Sequence, residues 1–157
     1  MRRCVQCKGQ EFERVERKLL RTVGDQAFST VIPAERCVEC GEGTIGAEDG
    51  MRFEAAIAEA LARSGASSGD AFRAMRRHLG LRSGDLAALL SVAAETVSRW
   101  ETGQRPIDPA AARLVGVLVL EKSGGRSETM IRLRLLSKPR RQPKTVRLHL
   151  ARARKAG

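Results

Sequence analysis

Leu81-Arg-Ser-Gly-Asp-Leu-Ala-Ala-Leu-Leu-Ser-Val-Ala-Ala-Glu-Thr-Val-Ser-Arg-Trp-Glu-Thr-Gly103 reads as two short helices joined by a tight turn. Ser83 is placed to cap the first, Gly84 to Leu90. A break at Ser91-Val92 leads to the second, Ala94 to Glu101, which Thr102-Gly103 closes. Upstream, Asp70 is a candidate N-cap for a helix over Ala71 to Leu79, with Gly80 as its C′ glycine. Downstream, Asp108-Pro109 gives an N-cap followed by an N1 proline, starting a helix that runs to about Lys122. Leu79, Leu86, Leu90, Val92, Val97, Trp100, Leu114 and Leu118 can converge into one small core. Four short helices with tight turns make a compact DNA-reading unit, and the third lies where a recognition helix would.

Working toward the N-terminus, Ser64-Gly-Ala-Ser-Ser-Gly69 has the composition of a flexible linker and marks a domain boundary. Before it, Met51 to Arg63 carries Phe53, Ile57 and Leu61 at i, i+4 and i+8, the apolar stripe of a helix. All four cysteines precede that helix, as Cys4-Val-Gln-Cys7 and Cys37-Val-Glu-Cys40. A C-x-x-C turn lets two thiolates face one cation, and two such turns close a tetrahedral sulfur set without an open catalytic position. The two histidines, His78 and His149, lie far from both pairs. Structural zinc is the expected cofactor, with an iron–sulfur cluster as the alternative that also accepts four thiolates. A disulfide pair is disfavoured in a reducing compartment, and a redox C-x-x-C needs a βαβ setting that is absent. The segment between the knuckles suits a hairpin turning at Gly24-Asp25, with Gln26 to Ile32 as one strand and Pro33 as its stop. Phe12, Val15 and Leu19 fit a strand or a helical stripe equally.

The chain has 157 residues, with 29 Lys plus Arg against 18 Asp plus Glu, a formal charge of +11. The first 121 residues are neutral in sum. Residues 122–157 therefore supply the whole excess, with Glu128 as their single acid. A polyanion would feel this tail first. Within it, Met130 to Leu135 and Val146 to Leu150 alternate apolar and basic residues, the period of a strand. They read as a two-stranded basic ribbon or as a segment that orders only on DNA. Aromatic residues make up 3% of the chain, which argues against base-stacking platforms and weakens an RNA-binding reading. No apolar run is long enough to span a membrane, and Met1-Arg-Arg-Cys4 leads into no apolar signal core, so a soluble cytoplasmic protein is expected.

The Leu81 to Gly103 stretch resembles the phage-repressor (Cro/CI, or XRE) helix-turn-helix, and Ile32-Pro-Ala-Glu-Arg-Cys-Val-Glu-Cys-Gly-Glu42 is similar to the YgiT-type zinc finger. Both in this order resemble MqsA-type antitoxins over roughly residues 1–120. The combination of two knuckles, linker and Ser98-Arg-Trp-Glu101 is more specific than either motif alone. The resemblance implies a zinc-bound N-terminal domain that can mask a ribonuclease toxin. It also implies a C-terminal domain that dimerises and represses its own operon from a palindrome in double-stranded DNA.

By the same resemblance, base contacts fall on Ala94, Glu95 and Arg99, with Thr96 among the DNA-binding residues, and phosphate contacts on Arg82, Ser83, Thr102 and Gln104. Arg99 can fork onto guanine O6 and N7, while Glu95 can accept from cytosine N4. An ion pair between Arg76 and Glu101 is implied as well. Three departures stand out. Ala93 replaces a capping Ser or Thr, Ser91 replaces the turn glycine, and Glu95 stands where MqsA itself has Asn. A carboxylate in the groove repels phosphate unless it meets cytosine, so a different target is expected. Plainer roles exist for several of these residues. Trp100 reads as a core plug, Glu95 as a first-turn carboxylate favoured by the helix dipole, and Arg99 as a solvated surface residue. His78 reads as a favourable charge near a helix end rather than as a ligand.

The expected class is α+β. It comprises a Cys4 zinc ribbon-like domain over 1–50, a helix and linker over 51–69, a helix-turn-helix domain over 70–122 and a basic tail over 123–157. The expected function is a dimeric, zinc-stapled transcriptional repressor and antitoxin. The alternatives are a regulator without a toxin partner and a toxin-binding module that binds DNA only weakly. An enzyme is not expected, because a closed sulfur site with no histidine and no acid–base pair beside it lacks catalytic groups.

Overall fold

The structure, a computed structural model, describes residues 2–137. The class is α+β, with a three-stranded antiparallel sheet at the N-terminus followed, among the described residues, by six helices. Strands β1 (Phe12–Val23) and β2 (Gln26–Cys37) form one long hairpin whose register pairs Val23 with Gln26 and Phe12 with Cys37. Gly24, at φ +61°, takes the first central position of the two-residue turn, where the type II′ geometry demands a positive φ. The hairpin at Gly24-Asp25 is therefore as expected. Phe12, Val15 and Leu19, for which a helix remained open, belong to β1.

Pro33 does not stop the second strand. Counting from the Val23–Gln26 closing pair, Pro33 opposes Glu16 at a non-hydrogen-bonded position, so its missing N–H faces away from β1. On that far side the short strand β3 (Gly43–Ile45) pairs with Ala34 to Arg36 and leaves Pro33 at an open edge, where proline costs no ladder bond. β2 thus continues to Cys37 and carries that thiol on its last residue.

Helix α1 (Ala47–Ser64) starts four residues ahead of the expected Met51, with Glu48 and Asp49 in its first turn, where the helix dipole favours acids. Ser64 to Gly69 is a capped turn. Gly65 adopts φ +67°, the Ala66 N–H bonds Leu61 O, and the Ser68 hydroxyl accepts from the Ala71 N–H. Ser68, and not Asp70, is the N-cap of α2 (Gly69–His78), so Asp70 becomes a first-turn acid. Gly80 holds the expected positive φ after α2. Helix α3 spans Ser83–Leu90, α4 Ala94–Glu101 and α5 Pro109–Ser123, with the Asp108 carboxylate accepting from the Ala111 N–H at 2.9 Å. Ser83 is the first helical residue of α3 rather than its cap. The end is closed by Asp85, whose carboxylate accepts the Arg82 N–H at 3.0 Å and also holds the Arg82 guanidinium. That guanidinium draws the Asp85 carboxyl below its ordinary range.

One core joins α1 to α2–α5, with Ile57, Leu61, Phe72, Met75, Leu86, Val97, Val115 and Val119 almost fully enclosed. Of the expected core, Leu86, Val97, Trp100 and Leu118 are buried, Leu79, Leu90 and Val92 pack at its margin, and Leu114 is only half-buried. Phe72 meets Trp100 edge to face at 5.9 Å. Gly69 seats the start of α2 against the end of α4. A Cβ there would lie 2.6 Å from Glu101 O and 2.7 Å from Trp100 O, closer than any side chain tolerates. Val23 and Phe28 at the hairpin tip pack against the same core, so the sheet is docked on the helices.

One expectation changes toward the C-terminus. Met130 to Leu135 lies in a helix, α6 (Glu128–Leu136), and not in a strand. Glu121 on α5 fixes its first turn by accepting from the Thr129 N–H and hydroxyl at 3.1 and 2.5 Å, and Met130 then packs on the core. The second expected strand, Val146 to Leu150, lies outside the described residues. His78 stands at the end of α2, where burial first and the neighbouring Lys122 ammonium second lower its pKa and so disfavour the expected end charge.

Ser91 ends α3 at φ +55° and ψ +40°, a left-handed conformation that a Cβ disfavours by roughly 1–2 kcal/mol. Ser91→Gly is expected to stabilise the folded chain by about 0.5–1 kcal/mol, the strain relief being partly offset by greater freedom of the unfolded chain. Denaturant titration checks this, and an unchanged or lower midpoint would show that the serine side chain supplies a compensating contact.

Candidate metal centre and nucleic-acid interface

The two C-x-x-C turns have the same backbone construction. In the first, the Cys4 N–H bonds Gly9 O at 2.8 Å and the Lys8 N–H bonds Cys4 O at 3.0 Å. In the second, the Cys37 N–H bonds Glu42 O at 2.9 Å and the Gly41 N–H bonds Cys37 O at 2.9 Å. Lys8 and Gly41 occupy equivalent left-handed positions, at φ +68° and +75°, so the first turn holds a strained lysine where the second has glycine. β2 delivers the second turn at its end, and the Val38 N–H to Glu11 O bond of 3.1 Å ties that turn to the segment entering β1. Each turn thereby presents one buried and one exposed thiol to the same point.

The Sγ atoms of Cys4, Cys7, Cys37 and Cys40 all lie within 4.8 Å of one another, with Cys4–Cys40 at 3.6 Å and Cys7–Cys37 at 3.5 Å. A tetrahedral ion with metal–sulfur bonds of about 2.3 Å requires sulfurs about 3.8 Å apart. The four free thiols fit one such ion, and no disulfide joins them. Backbone N–H groups of Cys7 and Gln6 bring the Cys4 thiol down to about 7, a polarisation suited to a thiolate ligand. At Cys7 the Gly9 N–H also lowers the thiol, but sharing protons with Cys40, Cys37 and Cys4 pushes it up to about 12. Four thiolates so close repel one another, and a cation removes that conflict. Outside the cluster, Arg2 spans the sheet, donating to Glu35 and Thr44 while lying 4.8 Å over the Phe12 ring.

At the other end, α4 buries Val97, Trp100 and Glu101 and exposes Ala94, Glu95, Ser98 and Arg99. Glu101 is held in a nearly closed network. Its carboxylate accepts from Arg76 Nε at 2.5 Å and Nη2 at 2.9 Å, and the third Arg76 donor reaches Leu81 O at 2.7 Å. The implied Arg76–Glu101 pair is therefore present. Arg73 is a second partner that the motif did not reveal, with Nε 3.4 Å from Glu101 Oε2 and Nη2 donating to Glu101 O. Its position three residues before Arg76 on one helix face was the available signal. Gly69, read as a linker glycine, was likewise missed as a contact point for α4.

Of the residues assigned to DNA, Ala94, Glu95 and Arg99 share the exposed face of α4, with Thr96 half-buried beside it. Arg82, Thr102 and Gln104 are exposed and Ser83 is half-buried. Besides Arg82, whose guanidinium is held by Asp85, three carry internal bonds that the sequence did not announce. Arg99 Nη2 donates to Glu95 Oε1 at 2.6 Å, and the Thr102 hydroxyl donates to Ser98 O at 3.0 Å. Ala93 caps α4 without a side-chain bond, as its replacement of Ser or Thr led one to expect.

Among the described residues, no helix is long and apolar enough to cross a membrane. No curated protein and no solved structure matches the chain. The family model for MqsA, the antitoxin component of a bacterial toxin–antitoxin system, matches residues 1–123, from before the first cysteine pair to the end of α5. The chain, with its clustered thiols ahead of a helical unit, belongs to the MqsA antitoxin family.

Proposed function

We propose that this antitoxin is a sequence-specific DNA-binding repressor of its own operon, stapled by structural zinc and paired with a ribonuclease toxin. In this reading residues 1–50 form the metal module and cover the toxin. Residues 70–122 form the helix-turn-helix unit and bind a palindromic operator as a homodimer. The observation that carries it is the presentation of α4. One face is locked by the Arg76–Glu101 network, while the opposite face offers Glu95 and Arg99 to solvent. A helix held this firmly can place side chains on base edges, whereas exposed charges on a loose helix confer only non-specific attraction.

Zinc fits best among the metals because thiolate-only tetrahedral sites select it, and metal analysis of purified protein should give one zinc per chain. A finding of iron instead would replace the staple by an iron centre. For DNA, Arg99→Ala should reduce discrimination against a substituted guanine by about tenfold or more, since a bidentate Arg–guanine pair is worth about 1–3 kcal/mol. Binding measured on duplexes enriched from a random pool checks this, and unchanged discrimination would remove α4 from base reading. The toxin half is tested by co-purifying the full chain with the product of the adjacent gene, where failure of every neighbour to bind would argue for a regulator alone.

A further inference from the structure

Three side chains that the sequence assigned to the core, Leu90, Val92 and Leu114, stop at half burial. Together with Leu89 they wall a cleft of about 570 Å³ between the end of α3, the start of α4 and the start of α5. Small residues line it too, Ala93 at the N-cap of α4 and Ala110 in the first turn of α5. Trp100, 4% exposed, also lines this cleft, and its Nε1 is buried with no acceptor among the described residues. An enclosed indole N–H without an acceptor is costly, because folding takes it from water and returns nothing. The two charged lining residues, Arg105 and Asp108, are both exposed. The Asp108 carboxylate caps α5 through the Ala111 N–H. Arg105, by contrast, has no carboxylate within ion-pair distance among the described residues. The cleft thus combines apolar walls with two unmatched donors, the pattern of a site for a small organic molecule.

We propose that this cleft binds a small amphipathic carboxylate, an apolar chain or ring bearing one acid group. The apolar body displaces water from the leucines and Val92. Its carboxylate oxygens are the acceptors that Arg105 and the Trp100 N–H lack, and a charge-assisted bond to a guanidinium is the stronger kind. An amine would meet Arg105 as a like charge and bring no acceptor to the indole. The site lies apart from the thiol cluster, and it is independent of what the exposed face of α4 reads.

Trp100 is the single tryptophan and the chain has no tyrosine, so its emission reports on the cleft directly. Full-length protein is titrated with octanoate, with octanol, and with octylamine, a cation at neutral pH. Octanoate should change the emission saturably. Octanol should bind about tenfold more weakly for want of the charge-assisted bond, and octylamine more weakly still. Arg105→Gln, at an exposed position, should bring octanoate down to the level of octanol. Ala110→Phe should fill the cleft and abolish the response to both, with thermal melts verifying that each variant is folded. The proposal is overturned if octanoate produces no saturable change, or if octylamine binds as tightly as octanoate. Undiminished binding by folded Ala110→Phe would place the molecule elsewhere and equally sink it. If the emission instead changes with protein concentration alone, as a dimer forms in sedimentation, a second copy covers the cleft and the ligand site fails.

Discussion

Stripping the metal, or replacing Cys37 with Ser, is expected to unfold the hairpin and both cysteine turns while α2 to α5 stay folded. The physical ground is the poverty of apolar burial around the sheet. Apart from Cys4 and Cys37, Ala34 is the one buried apolar side chain among the described residues up to Ile45, and Leu20 and Val31 are exposed. Val23 and Phe28 are only partly buried and pack against the helical core. A segment this small cannot offset its chain entropy from its own contacts. Structural zinc in small thiolate sites supplies about 10–16 kcal/mol of apparent binding energy, which is as large as the whole stability of a typical domain, about 5–15 kcal/mol. Cys37, 1% exposed and last in β2, is the ligand with least room for a substitute.

Chelation followed by limited proteolysis should show cleavage between residues 9 and 37, with the fragment from α2 to α5 protected. Acidification should release the metal and produce the same pattern, because the ligands bind as thiolates and protons compete for them. A hairpin that resists protease equally with and without metal would remove the staple from the account.

Glu101→Ala carries the second largest expected effect, a loss of about 3–5 kcal/mol in unfolding free energy. Residues Arg76 and Glu101 are each only 7% exposed, so deleting the carboxylate leaves a guanidinium enclosed with Leu81 O as its remaining acceptor. Arg73 also loses its side-chain partner. The double variant Arg76→Met with Glu101→Leu should recover most of the loss, since two apolar groups of similar volume leave no uncompensated charge. Denaturant unfolding of the single and double variants separates the cost of an orphaned charge from the worth of the pair. Equal destabilisation in both would mean that the network's value is packing rather than charge. Because the same network fixes α4 against α2, the proposed DNA reading by α4 predicts that Glu101→Ala weakens discrimination more than non-specific binding.

The helices were legible in the sequence wherever local chemistry sets their ends. Asp108-Pro109, Gly80 and the Ala94 to Glu101 span came through because caps, turn glycines and N1 prolines act within four residues of themselves. Local rules misplaced the N-cap of α2, because Ser68 and Asp70 are both good caps and only the packing of Gly69 against α4 chooses between them. They also misread α6. Ile131, Leu133 and Leu135 alternating with arginines satisfy a strand period and fit a short helix alike, and the deciding contact, Glu121 with Thr129, spans eight residues. The hairpin shows the same limit at Pro33, a strand-breaker by composition that becomes harmless once the neighbouring strand stops short of it.

By itself the sequence determined the chemistry of the two ends. Four thiols in two turns can close on one cation, and a four-helix unit can expose Glu95 and Arg99, because ligand type, spacing and helical period are local properties of the chain. The tertiary structure alone decided how those parts are joined. It brings Cys4 to 3.6 Å from Cys40, buries Glu101 between two arginines from α2, and docks the hairpin tip on a core that α1 shares with the helices after it. Such contacts depend on which surfaces exclude water together, and residues thirty positions apart carry no local signal of that choice.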